Sequence, residues 1–145
     1  MRRILGLDVG DKTIGVAVSD GLGLTAQSVV TIRRQNINKD IAALKELIDE
    51  YEAVEIVVGL PKNMDGSLGP QSEKVLAFVE KLKKVFPLPV ELYDERLSTA
   101  QALKALIAAD LSRAKRKKII DKMAAQVILQ GYLDRKRARP ATETP

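Results

Sequence analysis

Three positions in this chain put a carboxylate where a carboxylate is costly. Asp8 falls inside the apolar run Ile4–Val9. Asp94-Glu95 follows directly on the apolar run Val90–Tyr93. Asp121 is spaced i, i+3, i+4 and i+7 with Ala124, Ala125 and Ile128, so on a helix it shares a face with small, core-like residues. An acid drawn out of water must be protonated, paired or set against a cation. Each has a plainer reading taken alone. Asp8 could cap the turn at Gly10, Glu95 could pair with Arg96, and Asp121 could pair with Lys117 or Lys118 one turn earlier. Together they describe acids converging from a first strand, the end of a fifth strand and a C-terminal helix. Adjacent residues leaving a strand point oppositely, so one of Asp94 and Glu95 faces such a site, and spacing does not say which.

The residues that are missing narrow the chemistry. The chain has no cysteine and no histidine. That excludes disulfides, thiolate nucleophiles, zinc–thiolate sites, a Ser-His-Asp triad and imidazole ligation. Oxygen-only ligation favours a hard cation, Mg²⁺ or Mn²⁺. A pair of such ions about 3.5–4 Å apart activates water and stabilises the leaving oxygen of a phosphodiester. The charge distribution supplies the complement. Residues 112–145 carry ten Lys and Arg against three acids, whereas residues 1–111 carry fourteen against sixteen, so the net +5 comes from the last quarter. A basic face of this kind suits a polyanion. Lys12, Arg96, Lys117, Lys118 and Lys122 are the candidate phosphate contacts. Only five aromatics occur, and Tyr51, Phe78 and Phe86 have helix-core spacing, so recognition of shape or junctions is expected rather than base reading in single strands.

The elements that must position these residues follow from periodicity. Alternation over Ile4–Val9, Ile14–Ser19 and Thr25–Ile32, with turns at Gly10–Thr13 and Asp20–Gly23, predicts an antiparallel meander. The period then becomes helical: Ile41, Leu44, Leu47, Ile48 and Tyr51 share a face, with Asn38 as N-cap. Val54–Leu60 predicts a fourth strand, Lys62–Pro70 a loop, Ser72–Val85 a helix and Val90–Tyr93 a fifth strand. Ser98-Thr-Ala-Gln101 opens as a capping box into a helix reaching Ala109, and Arg113–Leu133 forms the last helix. Helical crossovers make strands four and five parallel to strand one. The expectation is one α/β domain over residues 1–139, a five-stranded mixed sheet with antiparallel strands 1–3 and parallel strands 4–5, and a flexible tail over 140–145. At 46% apolar and 30% charged, with mean hydropathy −0.08, the composition is globular. No run is long enough to span a membrane and the N-terminus lacks a signal-peptide pattern, so a cytoplasmic location is expected.

Four stretches, in this order, carry a family resemblance: Leu7-Asp-Val-Gly-Asp-Lys-Thr-Ile-Gly-Val-Ala-Val-Ser-Asp20, Val58-Gly-Leu-Pro-Lys-Asn-Met-Asp-Gly-Ser67, Asp94-Glu-Arg-Leu-Ser-Thr99, and Lys118-Ile-Ile-Asp-Lys-Met-Ala-Ala125 followed by Ile128-Leu-Gln-Gly-Tyr-Leu133. They resemble the YqgF/RuvX family nearly end to end. The resemblance implies an RNase H-like fold and a metal-dependent nuclease, with Asp8, Glu95 and Asp121 as the catalytic, metal-holding acids. It implies maturation of the 5′ end of precursor 16S rRNA, in ribosome biogenesis, as the activity. Resolution of four-way DNA (Holliday) junctions is the alternative, and would require a symmetric pair of sites and hence a homodimer. Two departures stand out: Ser98 where Thr is commoner, and Asp11 where Thr or Ser is frequent. Two further readings compete. One is a non-catalytic rRNA-binding assembly factor. The other is an ATP-binding protein of the actin and sugar-kinase type, whose first phosphate loop resembles Asp8-Val-Gly10 but which needs a second lobe that 145 residues do not accommodate.

Overall fold

The structure, a computed structural model, describes residues 2–98 and 113–138, with the side chains of residues 113–122 outside that description. The expected helix reaching Ala109 and the tail over 140–145 lie outside the described residues. The elements run β1 (Arg3–Val9), β2 (Thr13–Ser19), β3 (Ala26–Arg33), α1 (Ile37–Tyr51), β4 (Ala53–Leu60), α2 (Pro70–Val85), β5 (Val90–Asp94), a single 3₁₀ turn (Glu95–Leu97) and α3 (Arg113–Ala138).

The strands form one sheet in the order β3-β2-β1-β4-β5. β2 runs antiparallel to both β1 and β3, while β4 lies parallel to β1 and β5 parallel to β4. β1, β4 and β5 therefore end at the same edge of the sheet. β1 and β2 are buried on both faces, as central strands covered by helices should be. The two faces are built differently. Leu5, Leu7, Val9, Ile14, Val16, Ile56 and Val58 face α1 and α2, meeting Ile41, Leu44, Val75, Phe78, Val79 and Leu82. The opposite face carries Ile4, Ala17, Val57 and Tyr93, and packs on Ala125, Ile128, Leu129 and Leu133 of α3.

On that second face the strands contribute small residues, and α3 comes close. A Cβ added to Gly6 would lie 2.7 Å from Leu129 Cβ, and one added to Gly59 would lie 2.5 Å from Ile128 Cδ1. The spacing of Ala124 and Ala125 anticipates this approach, and both are fully buried. Two glutamines fasten α3 to the edge strand: Gln130 Oε1 accepts from the Ala26 amide at 2.9 Å, and Gln126 Nε2 donates to the Ala26 carbonyl at 3.1 Å.

Element ends depart from expectation in two instructive places. The N-cap of α1 is Asn36, not Asn38: residue 36 is extended (φ −146°, ψ 167°) and its Oδ1 accepts from the Lys39 amide at 3.0 Å. Asn38 lies one residue inside the helix, so its backbone is already helical. α2 begins at Pro70 rather than Ser72, because proline at the first helical position needs no amide partner. The Ser72 hydroxyl instead turns back to the Pro61 carbonyl.

Candidate active site

Strand alternation places Asp8 on the α3 face, in line with Ile4 and Gly6. It is 8% exposed. It lies one residue beyond the Leu7–Val58 pair, as does Gly59 on β4. Neighbouring strands lie about 4.8 Å apart, which puts the two α-carbons near one another across the β1–β4 seam. Gly59 in turn pairs with Tyr93 of β5. Two residues later the chain reaches Glu95, 1% exposed, whose carboxylate folds back over β4. Its Oε2 lies 2.9 Å from where a Cβ on Gly59 would stand. Asp8 and Glu95 thus share one end and one face of the sheet, with α3 as the roof.

The structure resolves which member of the Asp94-Glu95 pair turns inward. Asp94 receives Arg96, whose Nε lies 3.1 Å from both carboxylate oxygens and whose Nη2 lies 2.7 Å from Oδ2. The Arg96 guanidinium holds the Asp94 carboxyl below its ordinary range, with Lys62 adding a weaker pull at 4.0 Å. The local partner of Arg96 is therefore Asp94, because the 3₁₀ turn that starts at Glu95 brings residues 94 and 96 to the same side. Arg96 also donates from Nη1 to the Met64 carbonyl at 3.3 Å, so it ties strand β5 to the loop after β4.

The third expected acid, Asp121, falls on α3 in the sequence. The glutamine bonds to β3 run in opposite senses along helix and strand, Gln130 near residues 24 and 26 and Gln126 near residues 26 and 28, so α3 runs antiparallel to β3 and hence to β1. The Ala125 carbonyl and Leu129 cover Gly6. Moving two residues along β1, to Asp8, advances about 6.6 Å. Moving back four residues on α3, to position 121, advances about 6 Å. Residue 121 therefore occupies the turn of α3 level with Asp8. The side chains of Asp121, Lys117, Lys118 and Lys122 lie outside the described residues. Among the described side chains no group of three acids surrounds a common point.

Lys12 sits exposed in the β1–β2 turn at the same sheet edge. Its backbone is fixed by Arg34, whose amide donates to the Lys12 carbonyl at 2.8 Å and whose Nη1 donates to the Gly10 carbonyl at 2.9 Å. Asp11 turns the other way, to Lys74 of α2 at 3.2 Å, so this extra acid is drawn off toward the α1–α2 face. Sequence reasoning missed Gly59 as the residue that admits the Glu95 carboxylate; the only signal was a glycine inside an apolar strand, which marks close approach without naming the neighbour. It also missed Arg34 and its buried partner Asp40, which nothing in the spacing singles out.

Comparison with known proteins gives the family and the fold. A protein of Clostridium kluyveri is 62% identical over 133 residues, spanning 92% of this chain and 97% of its own, and one of Desulforamulus reducens is 64% identical over 132 residues, spanning 91% and 96%. Both carry the name "Putative pre-16S rRNA nuclease". Among solved structures, Thermus thermophilus RuvC in complex with a Holliday junction substrate superposes with a TM-score of 0.58 at 14% identity, covering 97% of this chain and 99% of that one. The fowlpox virus Holliday junction resolvase gives 0.50 at 16% identity, covering 92% and 99%. The fold is accordingly RNase H-like, of the RuvC kind. Residues 2–135 match the family described as RuvX: Holliday junction resolvase, and the chain belongs to that family.

Proposed function

We propose that this protein is a divalent-metal-dependent nuclease that hydrolyses phosphodiester bonds at the 5′ end of precursor 16S rRNA. The observation that carries the reading is the placing of Glu95 over Gly59, beside Asp8, at the shared end of β1, β4 and β5. Buried carboxylates at one end and one face of the sheet, with oxygen the only donor type the chain offers there, fit Mg²⁺ or Mn²⁺. Asp8, Glu95 and Asp121 would hold two such cations. When bound, the cations would lower the pKa of water and offset charge on the phosphate.

The rest is work for the chain's own residues. Burial keeps the rotamers of Asp8 and Glu95 fixed, so the site is built before substrate arrives. Glu95 is set back over β4, where it can orient a water toward the edge at which Asp8 lies. Lys12, on its anchored turn, supplies positive charge for a phosphate flanking the reacting one, and the basic first turns of α3 extend that charge along the backbone. The names of the relatives support the rRNA substrate.

The test is cleavage of an RNA carrying the precursor 5′ extension in Mg²⁺ or Mn²⁺. Wild type cuts it, and Asp8→Asn or Glu95→Gln reduces the rate at least about 100-fold while the folded protein still binds RNA. Unchanged cleavage in Asp8→Asn refutes the assignment. Tight RNA binding with no cleavage by wild type under any divalent cation favours the assembly-factor reading. The family description favours a second substrate, a four-way DNA junction. That reading requires paired sites, so it predicts a dimer in solution and symmetric cuts on a synthetic junction.

A further inference from the structure

We infer that the loop Lys62–Gly69 is a rigid platform for substrate, and that Met64 is its apolar contact, lying against the face of an unstacked nucleobase beside the scissile phosphate. The inference rests on the nuclease reading for the class of substrate and adds the element that engages it.

The loop leaves β4 at the edge where Asp8 and Glu95 lie, and it is braced from within and from outside. Within it, Lys62 and Leu68 form an antiparallel bridge. The Asn63 amide donates to the Ser67 carbonyl at 2.9 Å, and the Gly66 amide donates to the Asn63 carbonyl at 2.8 Å. Asp65 Oδ1 accepts from the Ser67 amide at 2.9 Å and from its hydroxyl at 2.6 Å. Gly66 has φ +89°, a conformation that leaves glycine the natural residue there. From outside, Arg96 holds the Met64 carbonyl while clasping Asp94, and its guanidinium lies 3.2 Å from where a Gly66 Cβ would stand. The residue next to Glu95 thus clamps the loop to the strand end that carries the acid.

At the tip of this braced turn Met64 is 87% exposed. Isolated apolar side chains on a surface are ordinary. Leu22, 78% exposed in the β2–β3 turn at the opposite edge, is such a case. Met64 differs in being presented by a backbone that cannot fold it away, at the edge where the acids are. A thioether is polarizable and packs well on aromatic faces, and methionine is among the side chains that wedge between bases. No aromatic ring among the described residues is exposed for that role, since Phe78, Phe86 and Tyr93 are buried and Tyr51 and Tyr132 partly so. Leu68 and Leu97, the other exposed apolar side chains nearby, are less exposed than Met64 and lack a polarizable sulfur.

The experiment uses full-length protein carrying Asp8→Asn, so that binding is read without cleavage, and an RNA hairpin with a three-nucleotide unpaired 5′ extension. A 2-aminopurine sits at the unpaired nucleotide next to the stem, and a blunt hairpin serves as comparison. The inference predicts a 2-aminopurine fluorescence change on binding. Met64→Ala abolishes that change and weakens binding of the tailed hairpin about five- to tenfold, while blunt-hairpin binding stays constant. Met64→Phe retains both signals. Fluorescence and affinity unaltered by Met64→Ala, or equal losses on tailed and blunt hairpins, overturn the inference. Cleavage by otherwise wild-type protein is scored separately, so cleavage that persists alongside a silent Met64→Ala removes this inference and leaves the nuclease reading standing.

Discussion

Substituting Gly59 and Gly6 separately should divide activity from stability, because the two glycines admit different neighbours. An alanine at 59 would bring its Cβ to 2.5 Å from Ile128 Cδ1 and 2.9 Å from Glu95 Oε2. Both atoms are the far ends of side chains, and ordinary contact begins at about 3.4–3.5 Å, so Ile128 Cδ1 must retreat by about 1 Å and Glu95 Oε2 by about 0.5 Å. Accommodating that strain costs about 1 kcal/mol, partly offset by the lower chain entropy of alanine when unfolded. The melting temperature should fall by about 2–4 °C. Displacing an acid by about 0.5 Å, the tolerance of a working site, costs far more in rate, on the order of 10- to 100-fold. An alanine at 6 meets Leu129 Cβ at 2.7 Å, an atom fixed to the helix backbone, so α3 itself must lift. Gly6→Ala should therefore cost about 2–3 kcal/mol, or about 4–12 °C in melting temperature, the larger loss of the two. The assays are calorimetric melting in chelator and single-turnover cleavage of a precursor-rRNA 5′ fragment. A Gly59→Ala protein that cuts at the wild-type rate refutes the placing of Glu95 in the reaction.

Other outcomes follow from neighbouring geometry. Arg34→Ala strips the 3.0 Å ion pair from Asp40, a carboxylate only 2% exposed, and should lower stability by about 2 kcal/mol, with Asp40→Asn in the same chain restoring part of it on melting. Saturating Mn²⁺, at about 100 times its dissociation constant, should raise the melting temperature of wild type by about 5–10 °C, and Asp8→Asn or Glu95→Gln should remove that rise. Asp94 is held below the ordinary carboxylate range by Arg96 and Asp65 below it by Ser67, so both are depressed groups. Their bonds are intact above the unfolded value near 3.8 and are lost as pH falls through the lower folded values, with Arg96 and Lys62 the cations facing Asp94. Protection factors at Gly66 and Ser67 should hold at about pH 5–7 and drop only on acidification below the unfolded value near 3.8, before global unfolding, and protection unchanged by that acidification refutes the clamp.

The strands were legible because their apolar runs have strand length and end in Gly, Asp and Pro turns. The convergence of Asp8 and Glu95 followed from parallel strands needing helical crossovers, which sets the ends of β1 and β5 at one edge. Spacing alone left Asp94 and Glu95 equivalent. The difference between them comes from the 3₁₀ turn at Glu95, which hands Arg96 to Asp94, and a turn of three residues leaves no periodic trace. The N-cap of α1 falls at Asn36 rather than the expected Asn38 for a similar reason. Both asparagines precede Ile41, where the buried face of the helix begins, and only backbone conformation tells which one caps. Gly59 was illegible as a functional residue because its role depends on a side chain from residue 95 and another from residue 128.

The unequal faces of the sheet explain why the acids are found where they are. On the α1–α2 face, leucine, isoleucine and valine from both layers set a wide separation, and an acid reaching out from a strand would meet only hydrocarbon. On the other face Gly6, Gly59, Ala17, Ala124 and Ala125 let α3 settle almost onto the β1 and β4 backbones. In the proposed nuclease, carboxyl groups on short side chains would reach a common ion only if their backbones stood this close. On that reading, the residues that thin this layer are as much a requirement of the proposed site as the acids themselves. They also give the core there less apolar area, which α3 compensates through polar bonds from Gln126 and Gln130 to the edge strand.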